Sequence, residues 1–592
     1  MKGVIVTFVC LGLLLRWFTA ILPGYIHPDE FFQNPEITSG MIFKIETLIP
    51  WEYQPEHASR SIVSPLLTTG LPFFILKQFL PNDQLPSGTT LFYTERLSSL
   101  LWSLLVDMSV YKLCRHMGTD PLVPMVLVAT SLVTFVFGTR PFSNSFESIL
   151  LCQSLVVYAD YLKEASYKRA YFLGCLFALG VFTRITFPLY ALPIGIVFLY
   201  QTYKNNKNVG AWIVSIVPMF LGLFTTSAVC IALDSLYYGT LWLTVNDQPM
   251  KDVLNALSIL ANPALLATVQ VHGHVVLTPF NNLSYNLDVS NLAQHGLHAR
   301  YTHVLVNLPL LYGPLAIFCL MYIPKAYQKI RQGATQGAHL FCVLLAIFAS
   351  GLIGLSIMPH QEARFLCPLL VPLVLMYNWD QPVLPIPFFI AWLLFNLITT
   401  CIFGLVHQGG VVPALNFVQR FSSGIQECHL AGADELACTL LPNHESIPTD
   451  FELTTHVVFY KTYMPPRHLL TIPLDNTTHQ IRVTDLSSDF DALVEVLERR
   501  PGVPLRRHSK NKVEIDFVRS REGFERTLLV TPGFVDLPKI ENHRYLLVHK
   551  LGPHVSFDDF DKLTEVMSES DSPEGQMSLD VYLMLSEKDN LA

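Results

Sequence analysis

The segment Gly24–Ile37, GYIHPDEFFQNPEI, sets three carboxylates, a histidine and two prolines directly behind an apolar run that starts near the first methionine. Pro28 suits the first turn of a helix and Pro35 should stop it. Residues 29–34 are therefore expected to make about two turns, with Asp29 and Gln33 four apart on one face. A carboxylate so placed could take a proton from a hydroxyl as a general base. The plainer reading is that Asp29 and Glu30 favour a helix N-terminus through its dipole. Three arginines offer complementary chemistry: Arg140 in TRPFSNSFE, Arg184 in FTRITFP and Arg364 in HQEARF. A guanidinium presents paired donors and stays charged when partly desolvated, which suits a phosphate. Snorkelling, or pairing with a carboxylate such as Glu147, would account for any one of them singly. Met358–Leu373 repeats the arrangement, with His360, Gln361, Glu362 and Arg364 between a proline and a new apolar run. His360 alone could equally be a satisfied interfacial histidine.

What must position these groups is a set of membrane helices. Of 592 residues, 51% are hydrophobic and 15% charged, with mean hydropathy +0.38. That is too apolar for one soluble globule. Apolar blocks of about 20 residues, the length that crosses roughly 30 Å of hydrocarbon, recur up to Leu405. Eleven spans are expected between Gly3 and Leu405, the fifth (Tyr171–Phe182) and tenth (Phe365–Met376) being short. Met1–Leu22 reads as an uncleaved first span, since Arg16 interrupts it and no small-x-small cleavage site precedes Pro23. Val63–Leu80 is broken by Pro65, Gly70 and Pro72 and is expected to be interfacial or re-entrant.

Cations fix the sidedness. With a cytoplasmic N-terminus, Lys112 and Arg115, Lys163 to Arg169, Lys204 and Lys207, and Lys325 to Arg331 all fall on the cytoplasmic side. The acidic segment, the three arginines, the tail and both N-x-S/T sequons, at Asn282 and Asn476, then face the secretory lumen, where sequons are glycosylated. The chain divides into 1–406, a membrane domain with a long first luminal loop at 23–90, and 407–592, a small luminal α+β domain with a disordered stretch near 568–576. Nine of the eleven cysteines lie in or beside spans. Cys428 and Cys438 fall in the oxidising lumen, where a disulfide or two free thiols are both open. No Cys/His spacing suits zinc, and the histidines between Asp234 and His303 read as a solvated loop. The net charge of −8 and the lack of a basic face argue against nucleic acid.

The motifs HPDEFFQNPEI, TRPFSNSFE, HQEARFLCPL, HQGGVVPA and FYKTYMPPRHLL together resemble the dolichyl-phosphate-mannose-dependent mannosyltransferases of the endoplasmic reticulum, glycosyltransferase family 22. The resemblance runs from Ile21 to about Leu470, and the HPDEFFQ form, HQGG and YMPPRHLL point to the branch that completes the glycosylphosphatidylinositol (GPI) anchor precursor with a fourth mannose. It implies a polytopic α-helical GT-C glycosyltransferase fold with a luminal site. The implied donor is dolichyl phosphate β-mannose. The implied acceptor is the 2-hydroxyl of the third mannose of the GPI precursor glycolipid, joined α1,2 with inversion. By motif position Asp29 is the expected base and Glu30 its positioning partner or alternate. His27, Gln33, Arg140, Asn144, Glu147, Arg184, His360, Gln361, Glu362 and Arg364 are expected to bind substrate. No cofactor or metal is expected, and membrane lipids are the surrounding partner. A sibling enzyme acting on the third GPI mannose or on dolichol-linked N-glycan precursors shares much of this pattern. A lipid scramblase or transporter would share the spans, but no inverted repeat of broken helices is visible.

Overall fold

The computed structural model describes residues 2–586 apart from 82–83, 207, 247, 251–252, 259–267, 294–295, 334–336, 381–384, 423–425, 431–435, 441–452, 476–478, 510–511, 516–523 and 570–572. They form two compact units. One comprises Met1–Ala20, Ile49–Pro72 and Glu95–Thr399, the other Ile21–Leu48, Phe73–Thr94 and Thr400–Ala592.

The first unit is helical, apart from a small antiparallel sheet in which Leu241–Val245 lies between Gln248–Met250 and Val269–Gly273. Each expected span falls on helix. Among the described residues four helices are long and apolar enough to cross a membrane: Gly88–Met117, Val209–Tyr237, Ala338–Ile357 and Ile386–Val406. Other spans change pitch along their length. The third is the helix Leu122–Ala129 followed by the π-helical turn Val133–Phe137. The tenth opens as the 3-10 helix Ala363–Leu369, where Pro368 can give no amide to a regular turn, before Leu370–Asp380. The interfacial segment is three short pieces, Val63–Pro65, the π turn Leu66–Gly70 and Leu71–Phe79.

Packing between spans uses small residues and satisfied charges. Helices Tyr167–Thr183 and Val209–Tyr237 meet so closely that a Cβ on Gly174 would lie 1.8 Å from the Met219 carbonyl oxygen, and one on Gly222 2.0 Å from that of Tyr171. Arg16, 2% exposed, donates paired hydrogen bonds of 2.5 and 2.7 Å to Asp107 in the second span. A charge at that depth persists because it is paired.

The second unit is built on a mixed sheet of seven strands, in agreement with the expected α+β class. Its order runs His479–Asp485, Leu453–Phe459, Phe524–Pro532, Leu579–Ser586, Val503–Ser509, Lys512–Ile515, and His543–Leu551 also pairs with Leu579–Ser586. The first two pairings are parallel and the third antiparallel. Helix Phe490–Glu498 lays Leu493 and Leu497 on Val458, Leu529 and Met584. A single break near His407 does not describe this unit, which takes in 21–48 and 73–94 as well. Backbone bonds hold the first loop to the tail: Glu46 N donates to Ile472 O at 2.7 Å, Leu474 N to Lys44 O at 3.2 Å and Gly24 N to Gly404 O at 2.9 Å. At Gly24 a Cβ would sit 2.4 Å from Gly404 backbone, so only glycine admits that contact. Where disorder is expected near 568–576, helices Phe560–Glu569 and Pro573–Gln576 flank residues 570–572, which lie outside the described residues.

Candidate active site

In the second unit Pro28 precedes a single helical turn, Asp29–Phe32, and Pro35 opens the next helix, Pro35–Phe43, instead of only ending the first. Proline at N1 forfeits an amide that has no intrahelical partner anyway, so it begins helices as readily as it ends them. The expected two turns thus shorten to one, but the Asp29/Gln33 pair survives. Gln33 Nε2 donates to Asp29 Oδ2 at 2.5 Å, and His27 Nδ1 stands 3.6 Å from Oδ1. The Asp29 side chain remains 26% exposed. Glu30 is fully buried and accepts from Ile26 N at 3.3 Å, which suits it to shaping the loop and not to meeting a substrate. Glu36, also fully buried, accepts from Leu48 N (2.8 Å), Arg467 N (3.1 Å), His468 N (3.1 Å) and His468 Nδ1 (2.5 Å). The acidic loop and the MPPRHLL segment are therefore joined through one carboxylate.

HQGG belongs to the same unit. His407 N bonds back to Ile402 O across the π turn Ile402–Val406, and its ring stacks on Phe557 at 4.7 Å. Tyr25 N donates to His407 O at 3.0 Å, directly upstream of the acidic motif. Burial lowers the His407 imidazole to about 4 and that of His554, whose Nδ1 accepts from Gly410 N, to about 3. Both rings are neutral struts.

In the first unit Arg184 and Arg364 share one aromatic ring: their guanidinium carbons lie 5.1 and 5.7 Å from the centroid of Phe365. Arg184, 6% exposed, donates to Ser143 Oγ at 2.8 Å and stands 3.4 Å from fully buried Glu147. Thr186 donates to the other Glu147 oxygen at 2.7 Å. Arg364 Nε pairs with Glu362, whose second oxygen meets His360 Nε2 at 2.7 Å. Burial pulls the His360 imidazole down, but the bonded Glu362 carboxylate outweighs it and the net shift is upward, favouring imidazolium. Two guanidiniums and the His360 ring gathered beside two carboxylates offer paired donors suited to an anionic oxygen cluster.

Other expected residues take different places. Arg140, fully buried, turns its Nη1 back to Val136 O at 2.8 Å, capping the π turn, and lines a cavity with Arg16, Asp107 and Phe142. Gln361 stitches backbone: its Oε1 accepts from His303 N at 2.9 Å and its Nε2 donates to Ser356 O and Met358 O, both at 3.1 Å. Asn144 is 1% exposed, and among the described residues neither of its amide atoms has a hydrogen-bond partner. Of the histidines between Asp234 and His303, His303 is fully buried and so not solvated as expected, while exposed His298 stacks edge-on to His360 at 5.6 Å. Asn282 lies in helix Thr278–Leu287 at 7% exposure, a poor position for the expected glycan. Asn476 lies outside the described residues, as do the side chains of Cys428 and Cys438. Among the described residues no group of three His, Cys, Asp or Glu side chains could hold a metal.

Sequence reasoning missed Glu36 with His468, Asp107 with Arg16, and the fully buried Glu95 and Arg96 of the second span. For Arg16, Glu95, Arg96 and Asp107, charges inside an apolar run were the available signal.

The family model described as the Alg9-like mannosyltransferase family matches residues 6–453. The GPI alpha-1,2-mannosyltransferase 4 of Homo sapiens is 34% identical over 517 residues, 82% of this chain and 79% of that protein. The GPI mannosyltransferase 4 of Candida albicans is 31% identical over 434 residues, 70% of this chain and 76% of that protein. Among solved structures, ArnT from Cupriavidus metallidurans in the apo state aligns over 98% of both chains at 10% identity and a TM-score of 0.48.

Proposed function

The chain belongs to the Alg9-like mannosyltransferase family and is an α1,2-mannosyltransferase of GPI-anchor biosynthesis; on that premise we propose that it carries mannose from dolichyl phosphate β-mannose to the 2-hydroxyl of the third mannose of the GPI precursor. The proposed setting is the endoplasmic reticulum membrane, in a GT-C arrangement of about eleven spans with a cytoplasmic N-terminus and the motifs in the lumen.

Asp29 takes the proton of the acceptor hydroxyl as its oxygen bonds to C1 of mannose from the side opposite the phosphate. The C1–O bond to phosphate breaks, the configuration inverts, and dolichyl phosphate leaves with the negative charge. Arg184, Arg364 and the His360 ring lower the energy of that charge as it develops. Because cations already neutralise the monophosphate, the reaction calls for no metal. Glu30 shapes the loop, and Gln33 and His27 orient the base.

The observation that carries this reading is the state of Asp29, accessible at one quarter of its side chain while Gln33 fixes one of its oxygens. Asp29→Asn in microsomes should abolish mannose transfer with expression and insertion intact, and retained transfer would reject the base. Cells lacking the chain should accumulate three-mannose GPI precursors. Truncated N-glycans would reassign the acceptor.

A further inference from the structure

Helix Thr278–Leu287 is inside out for a helix in water. Its packed face is polar or aromatic: Thr278 Oγ1 donates to Asp234 Oδ2 at 2.6 Å, Asn281 Nδ2 to Ala58 O at 3.1 Å, and Asn286 Nδ2 to Asn282 Oδ1 at 3.1 Å. Tyr285 lies on the ring of Trp51 with centroids 4.3 Å apart. Its outer face is apolar at positions i, i+3 and i+7, with Phe280 64%, Leu283 41% and Leu287 70% exposed. A soluble amphipathic helix turns its apolar stripe inward. Reversal of that pattern means that something apolar covers the outside.

The depth of the helix identifies the cover. Asp234, which holds Thr278, sits in the last turn of Val209–Tyr237 and also accepts from Ser61 Oγ at 2.8 Å and Ile62 N at 2.9 Å. That helix has 29 residues, so it is roughly 43 Å long, the thickness of a bilayer with its head-group regions. Its last turn therefore reaches the membrane boundary, and Thr278 is pinned to that level. We infer that helix Thr278–Leu287 lies in the plane of the membrane, with Phe280, Leu283 and Leu287 inserted among the lipids of the leaflet where Val209–Tyr237 ends. Asn282 is then turned inward beneath this anchor, where a glycan would displace the helix from its polar seat. The occupant is lipid, and the anchor is independent of the proposed donor and acceptor.

The test places photoreactive benzoylphenylalanine at Phe280, Leu283 or Leu287, and as a control at exposed Ser290, in the full chain reconstituted into nanodiscs of phosphatidylcholine and phosphatidylserine. Irradiation should give lipid adducts in the intact mass at the three face positions and none at 290. Adducts joining two copies, adducts to another polypeptide, or unreacted probe would overturn the inference. A second measurement needs no variant: protein from a glycosylating cell should show unmodified Asn282 by peptide mapping with and without glycosidase. A glycan found there would equally overturn it.

Discussion

Glu36 and His468, 432 residues apart in the chain, meet as a pair 2.5 Å apart in which neither side chain is exposed to solvent. Three backbone amides, from Leu48, Arg467 and His468, converge on the same carboxylate. Removing it leaves buried donors without an acceptor, the costly side of hydrogen-bond energetics. Glu36→Ala should destabilise the second unit by about 3–5 kcal/mol. Glu36→Gln, which keeps an acceptor oxygen, should cost less. Thermal unfolding of the solubilised protein measures both, and an unchanged transition in Glu36→Ala would refute the role given to this carboxylate.

Arg184 and Arg364 converge on Phe365 from different elements. If they meet the departing phosphate, Arg184→Ala should lower transfer by about 10²–10³-fold, the usual loss when one donor to a developing anion is removed. Lysine at the same position should restore only part, because it lacks the planar fork that reaches Ser143 and Glu147 together. Arg140→Ala, which removes a bond to the protein's own backbone, should act mainly on stability. Radiolabelled mannose transfer in microsomes separates these outcomes.

His407 and His554 give the fold an acid limit. Their folded values, about 4 and about 3, lie below the unfolded value near 6.5, so the unfolded chain binds more protons in that interval. The stability they contribute is present above pH 6.5 and is lost as pH falls through 6 and 5 towards 4. For His407 the loss amounts to about 3 kcal/mol. His407→Phe should flatten the acid side of a plot of melting temperature against pH. A slope as steep as the parent's would show that the ring does not titrate in this way.

Backbone register pairs Cys428 directly opposite Cys438 in the hairpin Gln426–Leu430 with Leu436–Leu440. Opposed Cα atoms in such a ladder stand within the span a disulfide needs. Non-reduced peptide mapping of protein from the secretory pathway should recover the two cysteines in one linked peptide. Free thiols at both positions would dismiss the bridge.

Several contacts within the candidate site were legible because their members are local. Asp29 and Gln33 lie one turn apart, and His360, Glu362 and Arg364 lie within five residues, so spacing alone brought them together. The α+β tail was legible from its short apolar runs. Glu36 was not, since its partners lie near Leu48 and beyond Pro466, and no periodicity links such distant segments. Pro35 was misjudged because proline ends one helix and begins another by the same loss of an amide. Gln361 looked like a ligand-facing amide but spends its bonds on backbone, a choice that depends on the π turn at His303–Asn307. The discontinuous second unit leaves no mark in composition at all.

The union of Gly24 with Gly404, and of Glu36 with Arg467 and His468, sets an order of events during biosynthesis. The acidic loop emerges from the ribosome almost first, yet its clamps are made almost last, after every span has been threaded into the bilayer. Until then Asp29 has no fixed surroundings, so nascent and truncated chains carry an incomplete acidic loop through most of translation. A premature stop between codons 407 and 468 would thus leave the acidic loop without its Glu36 partners Arg467 and His468, with every membrane helix in place.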